Sequence, residues 1–258
     1  MDVYAHNRKA WDREVASGDN PWTRPVGPEV IAAARTGEWS VVLTERKPVP
    51  RDWFPPLAAA EVLCLASGGG QQGPVLAAAG ACVTVLDASA AQLAQDRLVA
   101  QREELPLRLE QGDMADLSRF ADACFDLVFH PVSNCFAREI GGVWREVARV
   151  LRPGGVLLAG FLNPDLFVFD LDAADRGELH AVNALPYSDL THLPPDRLQQ
   201  RLAAGETLEF SHTLAEQIGG QLAAGLVITG FYEDRHREFA PARLMPTYFA
   251  TRAVKPVR

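Results

Sequence analysis

Four short apolar runs, separated by segments with helical periodicity, constrain the fold of this chain more than any other feature. The runs are EVLCLAS, CVTVLD, FDLVFH and VLLAGFL, and they begin at residues 61, 82, 125 and 156. Runs that are apolar nearly throughout are typical of strands buried on both faces of a parallel sheet that helices cover. The alternation therefore predicts an α/β fold over about residues 58–162.

Three weaker segments complete the predicted sheet: LRLEQGD, which begins at residue 107, and LVITGFYED and PTYFATRAV near the C-terminus. Before this closing pair, residues 163–211 are polar, contain prolines and break the alternation. One helix is predicted there, from Pro194 to about Ala204. Thr213 and Glu216 have the spacing of a capping box, which predicts the start of a further helix.

Residues 1–57 are rich in tryptophan and proline. We predict one helix over about residues 4–16 and a short helix from Pro28, a favourable first helical residue. The segment is too short to hold a core of its own. We therefore divide the chain into an N-terminal lid segment, residues 1–57, and one domain, residues 58–258, in which an insertion at about 163–211 covers the substrate.

Charge and cysteine content exclude several classes of function. The chain has 33 acidic and 25 basic side chains and a net charge of −8, which disfavours a nucleic-acid partner. No apolar run approaches the roughly 20 residues that span a bilayer, so we expect no membrane association. No Cys-x-x-Cys pair or metal-ligand spacing occurs, so we expect no metal. This cysteine usage, with Cys64 in an apolar run, and the lack of a signal-peptide pattern predict a cytoplasmic location.

The loop after the first apolar run has the spacing Gly-x-Gly-x-x-Gly, at Gly68, Gly70 and Gly73. Glycines allow a sharp turn and let a ligand touch the main chain. Asp87 ends the next run, where a carboxylate accepts hydrogen bonds from ribose hydroxyls or is stabilised by the start of the following helix. Both signals fit a NAD(P)-dependent oxidoreductase as well as a methyltransferase.

Three further motifs discriminate between these classes: Gly112-Asp113-Met114, Phe125-Asp126-Leu127-Val128-Phe129 and Leu151-Arg152-Pro153-Gly154-Gly155. The series resembles the class I S-adenosylmethionine (SAM)-dependent methyltransferases, especially their small-molecule branch. The resemblance implies an α/β, Rossmann-like methyltransferase fold, with a mostly parallel seven-stranded sheet, an antiparallel last strand and helices on both faces. It also implies SAM as the cofactor.

In that family the loop after the first strand holds the methionine part of SAM, the acid after the second strand binds the ribose, and the motif after the third strand meets the adenine. The stretch after the fourth strand lies beside the methionine. The resemblance therefore implies the following cofactor-binding residues in this chain: Ala66, Ser67, Gly68, Gly69, Gly70, Asp87, Ala88, Ser89, Gln92, Gly112, Asp113, Met114, His130 and Pro131.

Two positions depart from the family's pattern at the first strand. Cys64 stands where the family has an acid that helps to order the loop, and Ala66 stands where it has the first glycine. These departures motivate a second hypothesis, a SAM-binding protein without transferase activity that serves as a sensor or subunit partner. A third hypothesis is a NAD(P)-dependent oxidoreductase. It fits less well, because NAD binding explains neither the Gly112-Asp113-Met114 motif nor the motif that begins at Leu151.

His130 and Tyr187 are the candidate catalytic residues, because a base helps methyl transfer to a hydroxyl or a protonated amine. His130 ends the fourth run, at the edge of the sheet where ligands bind in α/β folds. It is a base, a cofactor contact or a structural histidine. Tyr187 lies in the insertion, where it is a catalytic group or part of a surface turn. His192 and His212 are weaker candidates.

The sequence thus predicts transfer of a methyl group from SAM to a small-molecule acceptor, with release of S-adenosylhomocysteine. It leaves the acceptor and the oligomeric state open.

Overall fold

A computed structural model describes residues 1–257. Within them, seven strands form one sheet in the order β3-β2-β1-β4-β5-β7-β6. Six strands run parallel to one another, and β7 runs antiparallel to both of its neighbours. The predicted fold class is confirmed. The strands are β1 Glu61–Leu65, β2 Cys82–Asp87, β3 Leu107–Gln111, β4 Phe125–His130, β5 Leu151–Leu162, β6 Val227–Asp234 and β7 Tyr248–Val254.

Helices connect and cover the strands. The α-helices are α1 Val3–Ser17, α2 Pro28–Arg35, α3 Gln72–Ala78, α4 Ala90–Glu103, α5 Gly141–Val150, α6 Leu171–Asp175, α7 Asp189–His192, α8 Pro195–Ala204 and α9 Gly220–Ala223. Single-turn 3₁₀ helices occur at Pro21–Thr23, Arg51–Trp53, Asn134–Phe136, Pro164–Val168 and Ala240–Arg243, and a π-helical turn at Ala215–Gly219 leads into α9. None of the helices in residues 1–257 has both the length and the apolar character needed to cross a membrane.

Alternate residues of each buried strand face two different hydrophobic layers. In β1, Val62 and Cys64 pack with α2, α3 and α4 on one face of the sheet. Leu63 and Leu65 pack on the other face, together with α5. This alternation follows from the period of two in an extended chain. Because both faces are covered, the strands are apolar throughout, as the sequence pattern indicated.

The N-terminal segment shares the main core with the sheet. Ile31 and Ala34 of α2, and Val41, Leu43 and Val49 beyond it, are buried in the same layer as Val62 and Phe129. Residues 1–57 therefore gain their stability from the sheet, because burial of apolar side chains is the main favourable term in folding.

The strand order creates a crevice between β1 and β4. The chain runs from β1 outward to β2 and β3, and then returns to place β4 on the other side of β1. The loops that follow β1 and β4 therefore turn in opposite directions. The space left at the carboxyl ends of these strands is where ligands bind in open α/β sheets.

Two local boundaries differ from those predicted. Strand β5 begins at Leu151, five residues before the predicted run, and Leu151 already pairs with Phe125. Pro153 accounts for this, because the residue before a proline is disfavoured in helical conformation and adopts an extended one. Thr213 and Glu216 form the predicted capping box reciprocally, but the turn that follows is π-helical rather than α-helical. In this turn the Glu216 carbonyl oxygen accepts a hydrogen bond from Trp144 Nε1 at 2.9 Å.

Asp234, at the end of β6, holds the segment that carries Thr44. Its Oδ2 accepts hydrogen bonds from Thr44 Oγ1 at 2.7 Å and from the amides of Arg46 and Lys47 at 2.8 and 2.9 Å. Asp234 is buried, so its removal leaves these donors without their acceptor.

We expect Asp234→Ala to lower the free energy of unfolding by roughly 1–3 kcal/mol, the loss typical of an unpaired buried polar group. Urea denaturation followed by circular dichroism measures it. Glu233→Ala is the matched control, because Glu233 is the neighbouring acid and is exposed. Equal stability of the two variants would contradict the role given to Asp234.

Candidate functional site

A cavity of about 550 Å³ opens at the carboxyl ends of the parallel strands. Its walls come from the loops after β1 to β4, the end of β5, the segment around Thr44 and helix α1. Ten of the residues implied by the family resemblance line it: Ala66, Ser67, Gly68, Asp87, Ala88, Gln92, Gly112, Asp113, Met114 and Pro131. The other four, Gly69, Gly70, Ser89 and His130, are not part of its wall.

Gly69 and Gly70 pack against protein and do not face the cavity. Both have positive φ angles, of 113° and 74°. A Cβ atom on Gly69 would overlap the Trp22 carbonyl oxygen, and one on Gly70 would lie 2.8 Å from the Gln95 carbonyl oxygen. These glycines let α4 and the N-terminal segment approach the loop, and their contact with cofactor stays a prediction.

Ala66 also has a positive φ, of 48°, at the position where the family has glycine. The left-handed conformation costs a residue with a Cβ atom roughly 1–2 kcal/mol. Alanine keeps the family's loop shape here because the surrounding hydrogen bonds determine it. One of them is the bond from the Ala66 amide to the Leu86 carbonyl oxygen, at 2.8 Å.

The Asp87 carboxylate joins the loop to the start of α4. Its Oδ2 accepts a hydrogen bond from the Gly68 amide, and its Oδ1 accepts one from the Ser89 amide, both at 2.9 Å. Burial raises the pKa of Asp87, and the two amides oppose that shift. Ser89 serves as the predicted N-cap by accepting from the Gln92 amide at 3.0 Å, and this explains why it lies outside the cavity wall.

A second carboxylate, Asp96 of α4, lies under the same loop. It is fully buried, and its Oδ2 accepts a hydrogen bond from the Gly69 amide at 3.0 Å. Cys64 is also fully buried, and the carboxylate of Asp96 contributes to its raised pKa after burial itself. Asp96 thus supplies the acid beneath the loop that the family's pattern places at position 64. No local sequence pattern indicates this exchange, because the two positions lie 32 residues apart.

Burial and the lack of a donor to one oxygen favour the neutral form of the Asp96 carboxyl. Its Oδ1 and the Gln92 Oε1 are both buried acceptors without a donor in residues 1–257. The two side chains are four residues apart on α4, a spacing that makes them neighbours on one helix face. Burial raises the pKa of Asp96 to about 8. A proton on the carboxyl gives the pair the donor that it lacks.

His130 is not among the residues that line the cavity, a placement that favours its structural alternative over a base or a cofactor contact. It is fully buried, with Nδ1 at 3.0 Å from the Leu65 carbonyl oxygen and Nε2 at 2.9 Å from the Asn134 side-chain oxygen. Burial lowers its pKa. With both ring nitrogens engaged by protein, His130 positions the loop after β4.

Tyr187 is also absent from the residues that line the cavity, so its placement favours a structural role over a catalytic one. It is buried, and its hydroxyl donates to Asp189 Oδ1 at 2.6 Å. Burial, and then that hydrogen bond, raise its pKa well above the usual range. His212 Nε2 contacts the carbonyl oxygens of Asn134 and Ala137, and the half-buried His192 contacts the Ser188 backbone. These histidines are structural.

Helix α1 supplies one wall of the cavity; the sequence analysis predicted that its segment forms a lid but singled out none of its lining residues. Its lining residues include Tyr4, Asn7, Arg8 and Trp11. These positions follow the spacing i, i+3, i+4, i+7 of one helix face. A helix face that mixes aromatic and polar side chains is the sequence feature that could have indicated a ligand-facing role for these residues.

A further part of the wall also escaped the sequence reasoning. Cys135 and Glu209 line the cavity, as do Tyr248 and Glu45. They come from the loop after β4, the end of the insertion, β7 and the N-terminal segment. No local pattern brings these segments together. Within residues 1–257, no group of three or more His, Cys, Asp or Glu side chains has the arrangement of a metal site.

The raised pKa of Asp96 predicts a pH-dependent stability. The pKa of an aspartate in the unfolded chain is about 3.9. Between that pH and about 8, Asp96 in the folded chain keeps a proton that the unfolded chain has lost, because its folded-state pKa is higher. Stability from Asp96 is therefore complete below the lower value and is lost as the pH rises towards the upper one. Asparagine resembles the neutral carboxyl and does not titrate.

We expect Asp96→Asn to gain thermal stability relative to the natural chain as the pH rises from about 5 to about 9, by roughly 2–4 °C for each kcal/mol. Differential scanning calorimetry at three pH values measures the difference. Parallel melting temperatures of the two proteins across this range would rule out a neutral Asp96.

Comparison with known proteins agrees with this geometry. A family profile described as "Methyltransferase domain" matches residues 63–159. The uncharacterized methyltransferase YbaJ of Bacillus subtilis (strain 168) is 49% identical over 253 residues, which cover 98% of this chain and 98% of that protein.

Solved structures share the fold. A putative SAM-dependent methyltransferase from Listeria monocytogenes superposes with a TM-score of 0.59 at 20% identity, over 88% of this chain and 100% of its own. The 1,6-didemethyltoxoflavin-N1-methyltransferase of Burkholderia thailandensis, solved with 1,6-didemethyltoxoflavin and S-adenosylhomocysteine, has a TM-score of 0.57 at 16% identity, over 98% and 88%.

At such identities the solved structures show a common fold and nothing finer. The close Bacillus relative, aligned over nearly its whole length, decides against the oxidoreductase that the glycine loop alone allowed. The sheet order, the loop seated on Asp87 and this relationship lead to one conclusion: the chain belongs to the class I SAM-dependent methyltransferase family.

Proposed function

We propose that this protein transfers a methyl group from SAM to a small-molecule acceptor and releases S-adenosylhomocysteine. The observation that carries the proposal is the cavity that joins Asp87 and Asp113, at the carboxyl ends of the strands, to a second set of polar groups around Glu209. A cofactor half and an acceptor half thus share one space.

The residues of the cofactor half fit an adenosyl group. Each oxygen of Asp87 accepts one amide hydrogen bond and keeps a lone pair, so the carboxylate can still accept from ribose hydroxyls. Asp113 Oδ1 accepts from the Ala115 amide at 2.9 Å, which leaves Oδ2 for the adenine amino group. Met114 beside it offers an apolar side chain to the ring. Bound SAM supplies an electrophilic methyl group on its sulfonium.

The size of the cavity favours a small acceptor. About 550 Å³ falls within the range of roughly 300–1,000 Å³ that small-molecule sites occupy. The cofactor takes part of this volume, so a macromolecular acceptor would have to insert a single side chain or base. The net charge of −8 further disfavours a nucleic acid.

Helix α1 and part of the insertion are proposed as the lid over the site. Asn7 of α1 donates from Nδ2 to the Phe136 and Leu208 carbonyl oxygens, at 2.7 and 2.9 Å. Asp12 accepts from Ser89 Oγ at 2.6 Å. These contacts anchor α1 against the cavity, where a closed lid would exclude water and strengthen electrostatic interactions. The four cysteines are free thiols, which supports the proposed cytoplasmic location.

We expect Asp87→Ala to weaken SAM binding by about 1.5–3 kcal/mol, the range for hydrogen bonds to a charged group. Isothermal titration calorimetry with SAM, S-adenosylhomocysteine and NADH tests the proposal. The natural chain should bind the first two ligands and not NADH.

The control is Glu110→Ala, because Glu110 lies on β3 and pairs with Arg108 and Arg119 outside the cavity. Unchanged SAM affinity in the Asp87 variant would refute the ribose contact. Binding of SAM without methyl transfer to any acceptor in a broad panel would favour a sensor or subunit partner instead.

A further inference from the structure

Glu209 is held at the cavity wall by its backbone. The Phe210 amide donates to the Cys135 carbonyl oxygen at 2.8 Å, and the Leu208 amide donates to Asn7 Oδ1 at 2.8 Å. The Glu209 amide itself donates to Asp189 Oδ2 at 2.8 Å. The segment is thus fixed on both sides, and the Glu209 side chain lines the cavity between α1 and the loop after β4.

The Glu209 carboxylate has no hydrogen-bond donor or ion-pair partner among residues 1–257. Burial raises its pKa to about 7, and the nearby Asp189 adds to this shift. Asp175 adds further, and Arg201, which pairs with Asp189 at 3.3 Å, opposes it. A half-buried carboxylate without a partner is costly unless a ligand supplies the missing donor.

Two cationic side chains, those of Arg8 and Arg138, also line the cavity. No lysine lines the cavity in the described part of the chain. Arg8, on helix α1, makes no ion pair with Glu209 among residues 1–257. Arg138 is exposed at the rim. The groups that share the acceptor half with Glu209 are the Cys135 thiol and the Tyr248 hydroxyl, which burial keeps neutral, and the Glu45 carboxylate beside Tyr248. Unlike Glu209, Glu45 has ion-pair partners in the protein, His236 at 3.6 Å and Arg237 at 3.8 Å.

We propose that the acceptor is a small amine that enters as its ammonium form, pairs with Glu209 and gives up one proton to that carboxylate before methylation. This inference rests on the proposed methyl transfer. A carboxylate acceptor would meet an unpaired like charge, and a neutral alcohol would leave the Glu209 charge without a counter-ion. The ammonium form alone supplies both a positive charge and donors.

The step balances as follows. The ammonium N–H bond breaks, and its proton goes to a Glu209 carboxylate oxygen. The freed nitrogen lone pair forms a bond to the methyl carbon of SAM while the carbon–sulfur bond breaks. Its electron pair goes to sulfur, so the sulfonium becomes the neutral thioether of S-adenosylhomocysteine.

The test uses protein loaded with S-adenosylhomocysteine and three probes of matched shape: benzylamine, benzyl alcohol and benzoate. A phenyl group suits the acceptor half, where Phe136 lines the wall beside Cys135 and packs edge-on against Trp11 at 5.2 Å. Calorimetry measures each affinity in the natural chain, in Glu209→Gln and in the matched control Glu206→Gln, whose side chain is exposed.

We expect benzylamine to bind most tightly of the three, and Glu209→Gln to weaken it roughly ten- to hundredfold, the worth of a hydrogen bond to a charged group. The control variant Glu206→Gln should bind benzylamine more tightly than benzyl alcohol and benzoate, as the natural chain does. Because Glu209 must be ionised, benzylamine affinity should rise as the pH increases through about 7 in the natural chain and stay flat in Glu209→Gln.

Two kinds of failure are distinguishable. If S-adenosylhomocysteine does not bind, the proposed methyl transfer falls, and the amine assignment with it. If it binds but benzylamine has no advantage over the alcohol and the acid, or keeps its advantage in Glu209→Gln, only the assignment of Glu209 and of an amine acceptor is overturned.

Discussion

Two buried carboxylates under the glycine loop hold the site together. Asp87 accepts amide hydrogen bonds from Gly68 and Ser89, and Asp96 accepts one from Gly69. The loop therefore keeps its shape through contacts with β2 and α4 as well as through its own glycines. Everything that faces the cavity, from the cofactor half to helix α1 above it, is placed by reference to that loop.

The sheet could be predicted because its signals are local. β2 and β4 occupy the residues that the apolar runs indicated, and Ser89 and Thr213 act as the caps that their spacing indicated. Most of the cofactor half followed from motifs that sit at strand ends. The N-cap and the strand each depend on a few neighbouring residues, so short-range patterns carry the information.

The rest of the site depends on contacts between distant segments. Asn7 lies beside Glu209 because its side chain accepts a hydrogen bond from the Leu208 amide, 201 residues away in the chain. No periodic pattern in the sequence predicts a contact over such a separation. Histidine at a strand end looked catalytic because ligands bind there, yet His130 belongs to a buried polar chain. In that chain Asn134 donates to Gln217, and Gln221 links Gln217 to Thr251. A position at the end of a strand therefore does not show whether a side chain lines the cavity or is buried behind it.

The contacts of helix α1 have a consequence for the timing of turnover. Asn7 is bonded beside Glu209, and Asp12 is bonded to the start of α4, so the same helix is anchored to both halves of the cavity. A rigid-body movement that lifts α1 breaks both anchors together and uncovers both halves. Both products should therefore depart during a single opening event, and the order of their release should be set by diffusion out of the open cleft rather than by separate gates.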